Sequence, residues 1–267
     1  MDMPPTPDVA APVIVEDHGR VRRIVLNRGA GRNLLTHEMM AALTDALDAP
    51  EAAVVVIAAD GPAFCAGHDM KAMAAHHDDA DGGRDYFVAL FEECSALMRK
   101  IATLPQPVIA EVHAVAVAAG CQLVAACDLA VCADTARFGT TGVTFGLYCT
   151  TPAVPLTRTV APKHAAELLM TGDVVGAQHA LRIGLVNRIV HAAELTRETM
   201  ALAAHIATKS AAVLALGKRA VAEQGGRPLA EAYACASAAM VDNLLLADGR
   251  EGLAAFAEKR PADWQDR

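Results

Sequence analysis

Few residue groupings in this chain have the types and spacing for chemistry. The run His76-His77-Asp78-Asp79 offers imidazoles and carboxylates, but adjacent residues point in different directions on a helix. It therefore reads as a solvated loop or helix end, and no metal is expected. Seven cysteines occur: Cys65, Cys94, Cys121, Cys127, Cys132, Cys149 and Cys235. They form no CxxC pair, so neither a zinc ribbon nor a thioredoxin-type centre is indicated. Most lie in apolar runs and read as small buried hydrophobes of a reducing compartment. The three serines, Ser95, Ser210 and Ser237, all fall in helical patterns. With no GxSxG, this argues against a serine hydrolase; GxGxxG, GxxxxGK[ST] and HExxH are absent too.

Any site must be held by the elements the pattern predicts. Val13 to Glu16 and Val21 to Leu26 read as strands joined by the turn Asp17-His18-Gly19-Arg20. Thr36 precedes a helix with Met39, Met40, Leu43 and Leu47 at helical spacing. Val54 to Ala59 is a β-branched apolar run, as in a buried parallel strand, ended by Asp60-Gly61-Pro62. A long helix is predicted over Arg84 to Thr103, then a strand over Val108 to Val112. A short buried helix over Gly120 to Ala126 and a strand over Leu129 to Ala133 follow. This alternation implies parallel strands joined by crossovers. Beyond about residue 195 only helical patterns remain: Leu195 to Thr208, Ala211 to Glu223, Pro228 to Leu246 and Glu251 to Lys259. Leu229, Tyr233, Ala236, Met240 and Leu244 form an apolar stripe on the third.

The expected organisation is a disordered tail over 1–12, an α/β core over 13–194 and a helical region over 195–267. At 267 residues and 54% hydrophobic, the chain can bury a substantial core. A net charge of −8 argues against a nucleic-acid surface, so a polyanionic ligand would need a local basic cluster. The N-terminus has neither the basic nor the apolar part of a signal peptide. No apolar stretch reaches the ~18 residues of a membrane helix. These features predict a cytoplasmic protein without membrane attachment.

Four segments together resemble the crotonase (enoyl-CoA hydratase/isomerase) superfamily. They are Ile24-Val25-Leu26-Asn27-Arg28 with Arg32-Asn33-Leu34-Leu35; Ala63-Phe64-Cys65-Ala66-Gly67-His68-Asp69-Met70; Pro107 to Ala110 through Ala118-Ala119-Gly120-Cys121-Gln122-Leu123 to Cys127-Asp128; and Phe256 to Pro261. Each alone is weak, but their order and spacing span nearly the whole chain. The stretches Ala66 to Met70 and Ala118 to Leu123 look closest to the enoyl-CoA hydratase domain-containing subgroup.

The resemblance implies an α/β spiral of ββα repeats with a C-terminal helical region that packs subunits into homotrimers, often paired as hexamers. It implies an acyl-CoA substrate whose coenzyme A is part of the substrate, with no separate cofactor. Two backbone amides would polarise the thioester carbonyl; matched by position, they belong to His68 and Ala119. Gly67 and Gly120 permit the close backbone approach this requires, and Ala119 opens a helix whose N-terminus favours negative charge. Read without the resemblance, Ala118-Ala119-Gly120 is ordinary close packing of a buried helix. The family usually has glycines at the first two of these positions.

The family's two glutamates, which position and activate water, would fall at Gln122 and Gly142. Gln can orient a water but cannot take its proton, and glycine offers no side chain. Hydration is therefore not expected, and glutamates restored at both positions are expected to raise it if the alignment holds. His68 could act as a base or point away; Asp69, beside it in the substrate loop, is expected to cap a helix starting near Lys71. Tyr148 and Cys149, with Thr150-Thr151-Pro152, replace the family's Gly-rich loop beside the acyl pocket. Cys149 lacks an adjacent activating group, so a pocket-lining thiol suffices. By the same resemblance, Ala66 would meet the adenine and Lys259 the phosphates. Two functions stay open: a CoA-thioester lyase, isomerase or hydrolase of fatty-acid or acyl-CoA metabolism with a non-standard base, or a carrier that sequesters acyl-CoA without turnover.

Overall fold

Two β-branched runs on either side of Gly19-Arg20 open the fold. β1 (Val13–His18) and β2 (Val21–Leu26) pair antiparallel, with Val13 opposite Leu26. Gly19 has a φ of 62°, so a tight turn suffices and β1 runs two residues past the expected Glu16. The computed structural model describes residues 11–267. Of the expected tail over 1–12, residues 1–10 lie outside the described residues; the Ala11 and Pro12 carbonyls accept from Asn27.

Thr36 caps α1 (His37–Ala46), its hydroxyl accepting from the Met39 amide. The chain then repeats one unit three times: a strand in a first sheet, a short strand in a second, and a helix across both. The first unit is β3 (Val54–Ala59), β4 (Ala63–Cys65), then α2 (Met70–Ala75) and α3 (Arg84–Thr103). The second is β5 (Val108–Val112), β6 (Val115–Val117) and α4 (Ala119–Ala126). The third is β7 (Leu129–Ala133), β8 (Arg137–Gly139) and α5 (Thr150–Thr159). α6 (Pro162–Thr171), β9 (Val175–Gly176), α7 (Ala177–Arg182) and β10 (Arg188–Val190) complete the sheets. Four helices end the chain: α8 (Leu195–Ala207), α9 (Ala211–Gln224), α10 (Leu229–Leu245) and α11 (Ala247–Glu258).

The first sheet has the order β1-β2-β3-β5-β7-β10, parallel from β2 onward; the second has the order β4-β6-β8-β9. This is the expected spiral of ββα repeats. β3 reads as a continuous apolar run because both its faces are covered. Val55 and Ile57 join the main core with Leu43, Leu97 and Leu123, whereas Val54 and Val56 pack with Leu195, Ala203 and Ala207 of α8. α8 is thus the member of the C-terminal helical set that lies on the sheet. Thr196 of α8 and Arg23 of β2 both bond the buried Glu111 carboxylate, at 2.8 and 2.7 Å.

α10 and α11 leave much apolar surface uncovered: Leu229 is 75% and Phe256 85% exposed, and Tyr233, Met240 and Leu245 are exposed as well. The predicted stripe therefore faces outward in the single chain. Among the described residues, no single helix is long and apolar enough to cross a membrane.

Asn33 ties the opening hairpin to the first repeat. Fully buried at a φ of 50°, a conformation Asn tolerates, it accepts from the Arg28 amide at 2.8 Å. Its side-chain nitrogen donates to the Asp60 and Ala63 carbonyls at 2.8 and 2.9 Å. Replacing it by Ala removes three side-chain bonds to backbone groups and leaves an alanine in left-handed geometry, so Asn33→Ala should cost about 2–4 kcal/mol. Urea unfolding measures this; a loss below about 1 kcal/mol would show that the bonds are not limiting.

Candidate active site

The site forms where the end of β4 meets the start of α4. A Cβ at Gly120 would run into the carbonyl oxygen of Cys65, so only glycine lets α4 come this close. On the other side, Gly67 has a φ of 90°, and a Cβ there would lie 3.0 Å from the Ala118 Cβ and 3.3 Å from the Ala119 nitrogen. Ala118 itself adopts φ 51° and ψ −121°, a strained conformation for any residue but glycine. Its amide donates to Gly139 and its carbonyl accepts from Gln122, which hold it there. The facing loop is fixed from the Asn33 turn: the Ala66 amide donates to Arg32, and the Leu35 amide to Gly67.

This packing leaves two amides free. Neither the His68 nor the Ala119 amide donates to an acceptor among the described residues. Ala119 is the first residue of α4, where helix geometry provides no internal partner and the dipole favours negative charge. Both residues line an inner cavity of about 150 Å³. Its other walls include Ala66, Met70, Met73, Phe91, Ala118, Gly142, Phe145, Leu147, Tyr148 and Cys149. The lining carries no carboxylate among the described residues.

His68 is the histidine of this cavity. Its Nδ1 donates to the Leu35 carbonyl at 3.0 Å, which fixes the tautomer and leaves Nε2 a lone pair. That Nε2 is buried without a partner. Burial pushes the imidazole pKa below the usual histidine value, against the opposing effect of the Leu35 bond, so the ring is neutral at neutral pH. Phe91 packs edge-on against it at 5.7 Å. Cys149 is buried, and its sulfur accepts from the Gly142 amide at 3.3 Å. Burial raises its pKa, so the thiol stays protonated and is a poor nucleophile. The Cys65 and Cys121 thiols beneath the loops are pushed up to about 12 by burial.

The remaining predicted residues separate. Asp69 caps α2, its carboxylate accepting from the Lys71 and Ala72 amides, and is absent from the cavity wall. Thr150-Thr151-Pro152, expected as loop, is the first turn of α5, where proline's missing N–H is tolerated. Lys259 ends α11 in left-handed geometry, exposed and away from the cavity lining.

Gln122 and Gly142 do not share a cavity. Gly142 lines the inner one, whereas Gln122, 3% exposed, lines a neighbouring side cavity between α3, α4 and α5. A Cβ at Gly142 would run into the Leu147 carbonyl oxygen and lie 2.7 Å from the Cys149 sulfur. The expectation that glutamates restored at these positions would raise hydration is therefore corrected. No side chain fits at 142 without moving the Leu147–Cys149 segment.

The metal candidate His76-His77-Asp78-Asp79 is used in packing: His76 pairs with Asp79 at 2.7 Å and stacks on Tyr86 at 3.6 Å. Sequence reading missed one cluster of ligand types, His164, Glu167 and His179. It lies on α6 and α7, far apart in sequence, and there the Arg182 guanidinium donates to His179 Nδ1. It also missed the side cavity, which helix packing assembles and no contiguous motif announces.

Comparison with known proteins fits this geometry. The profile of the Enoyl-CoA hydratase/isomerase family matches residues 17–267. Enoyl-CoA hydratase domain-containing protein 3, mitochondrial, from Homo sapiens is 45% identical over 248 residues, covering 91% of this chain and 80% of that protein. The crystal structure of the human domain-containing protein 3 superposes with a TM-score of 0.88 at 43% identity, covering 95% of this chain and 100% of that one. An enoyl-CoA hydratase structure from Mycobacterium smegmatis gives 0.89 at 42% identity, covering 95% and 98%. The expectation of a cytoplasmic protein is overturned, because the human relative and those from Mus musculus and Xenopus laevis are mitochondrial by name. A family profile over nearly the whole described chain and two superposing structures lead to one conclusion: this chain belongs to the enoyl-CoA hydratase/isomerase family.

Proposed function

We propose that the chain binds an acyl-CoA thioester with the carbonyl oxygen between the amides of His68 and Ala119. The observation that carries this reading is the pair of unpartnered amides at an apolar cavity, one of them at a helix N-terminus. Such donors stabilise the oxyanion of an enolate, and each can be worth ~10²–10³ in rate. A cavity of about 150 Å³ holds the thioester carbonyl and a few carbons, not the coenzyme. Coenzyme A arrives as part of the substrate, and the reading uses no separate cofactor. Lys259 remains the proposed phosphate contact.

The lining holds neither of the two carboxylates that would position and activate water, so hydration is not the proposed reaction. The available base is His68 Nε2. It can accept a proton from the carbon beside the thioester, leaving an enolate held by the two amides, and return it to that carbon. The missing carboxylates equally favour a second reading, a carrier that binds acyl-CoA without turnover.

Titration calorimetry with CoA and crotonyl-CoA, paired with deuterium exchange at C2 of butanoyl-CoA, separates these readings. Crotonyl-CoA should bind more tightly than CoA without being hydrated. If His68 is the base, exchange should proceed at neutral pH and fall only below about 6.5, since the neutral ring is the active form. His68→Gln should abolish exchange and retain binding. Binding without exchange would establish the carrier reading, and absence of binding would overturn both.

Homo-oligomer formation, as trimer or hexamer, is part of the same proposal. The exposed apolar residues of α10 and α11 exceed what a lone soluble chain usually leaves uncovered. Light scattering after size exclusion should give three or six times the 27.8 kDa chain mass, and a monomer would contradict the proposal.

A further inference from the structure

The side cavity holds about 440 Å³ between α3, α4 and α5, and shares Thr151 with the inner cavity as a common wall. Most of its lining is apolar, but its polar groups are unusual in kind. Arg99 and Arg158 both border it, and neither guanidinium meets a carboxylate among the described residues. Arg158 donates only to the Val154 carbonyl of its own helix. No acidic residue lines the cavity, in a chain whose net charge is −8.

Gln122 supplies a second and independent observation. Its side chain is almost wholly buried, and its Oε1 lies 4.0 Å from the Cys94 sulfur, which donates to it. The amide nitrogen donates to no acceptor among the described residues, although the residue lines the cavity. That nitrogen is open to the cavity rather than sealed in the core, so water or a ligand there can accept from it. Three donor groups thus border a largely apolar chamber that offers no charged acceptor, two of them on exposed arginines.

We infer that this chamber receives the far end of the acyl group and selects acyl thioesters that carry a second carboxylate at that end. The inference rests on the acyl-CoA reading above. The charge balance is consistent with it: two guanidiniums and an amide face one carboxylate, which suits arginine's paired donors. It also gives a reason for glutamine at 122. A glutamate there would set its own negative charge beside the incoming carboxylate and compete for the arginines. Gln122 lies one helical turn beyond Ala118 and Ala119 on α4, about 5 Å along the axis. At roughly 1.25 Å per carbon–carbon bond, a six-carbon acyl group extends about 6 Å from its thioester carbon, enough to bring its end to Gln122.

The test uses two probes of equal length, hexanoyl-CoA and adipoyl-CoA, which differ only in a terminal methyl or carboxylate. Calorimetric titration of the full-length protein should show adipoyl-CoA binding about tenfold more tightly, with the preference shrinking as salt is added. Arg99→Met with Arg158→Met should bring the ratio close to one, and Gln122→Glu should lower it in a protein whose arginines are intact. Circular dichroism on each variant checks the fold. Equal affinities in the unmodified protein, or a preference for hexanoyl-CoA, would overturn the carboxylate inference and leave acyl-CoA binding standing. Failure to bind either thioester would overturn the acyl-CoA reading itself, and this inference with it.

Discussion

The contact between α4 and the carbonyl of Cys65 is the constraint on which the rest of the site depends. Gly120 has no Cβ, so the helix start can lie directly against the end of β4. That approach brings the Ala119 amide beside Gly67 and leaves it, with the His68 amide, without an internal acceptor. The two-sheet spiral exists, in functional terms, to hold this approach. β4 and β6 pair in the second sheet, so the segments leaving them, Ala66–His68 and Ala118–Ala119, emerge side by side. Ala118 pays a backbone cost there, about 1–3 kcal/mol, that the surrounding bonds to Gly139 and Gln122 sustain.

Catalytic capacity is limited by which side chains reach the cavity rather than by the fold. The amides are intact, but the positions that would carry two glutamates hold an amide and a glycine, and they face different chambers. What remains is a neutral histidine with a buried lone pair and a protonated thiol. In the proposed reading this set passes one proton between the substrate carbon and the imidazole, without the paired carboxylates that would position water. With glutamine at 122, the side cavity carries no negative charge beside Arg99 and Arg158.

Much of this was legible in the sequence. Long elements with strong periodicity matched closely: Arg84–Thr103, Val108–Val112 and Leu129–Ala133 have the expected limits, and Asp69 caps its helix. The second sheet was not legible, because β4, β6 and β8 have three residues each, too few to display alternation. α5 was hidden by Pro152 and Pro155, which read as loop although one lies in the first turn. The site residues divide along the same line. His68, Ala119 and Cys149 sit in motifs that run along the chain, whereas the chamber containing Gln122, Arg99 and Arg158 is created by three helices distant in sequence. Crowding at Gly142 comes from Leu147 and Cys149 folding back, which spacing alone does not reveal.

The claim that the free amides of His68 and Ala119 grip a thioester carbonyl is tested most directly by infrared difference spectroscopy of bound acyl-CoA labelled with ¹³C at the carbonyl. Two hydrogen bonds to the oxygen weaken the C=O bond, so the account predicts that the labelled band moves to lower frequency on binding. Ala118→Pro, which removes the amide bonded to Gly139 and cannot adopt the turn's φ of 51°, breaks the turn and should return the band toward the free value. A bound thioester with an unshifted carbonyl band would contradict the account.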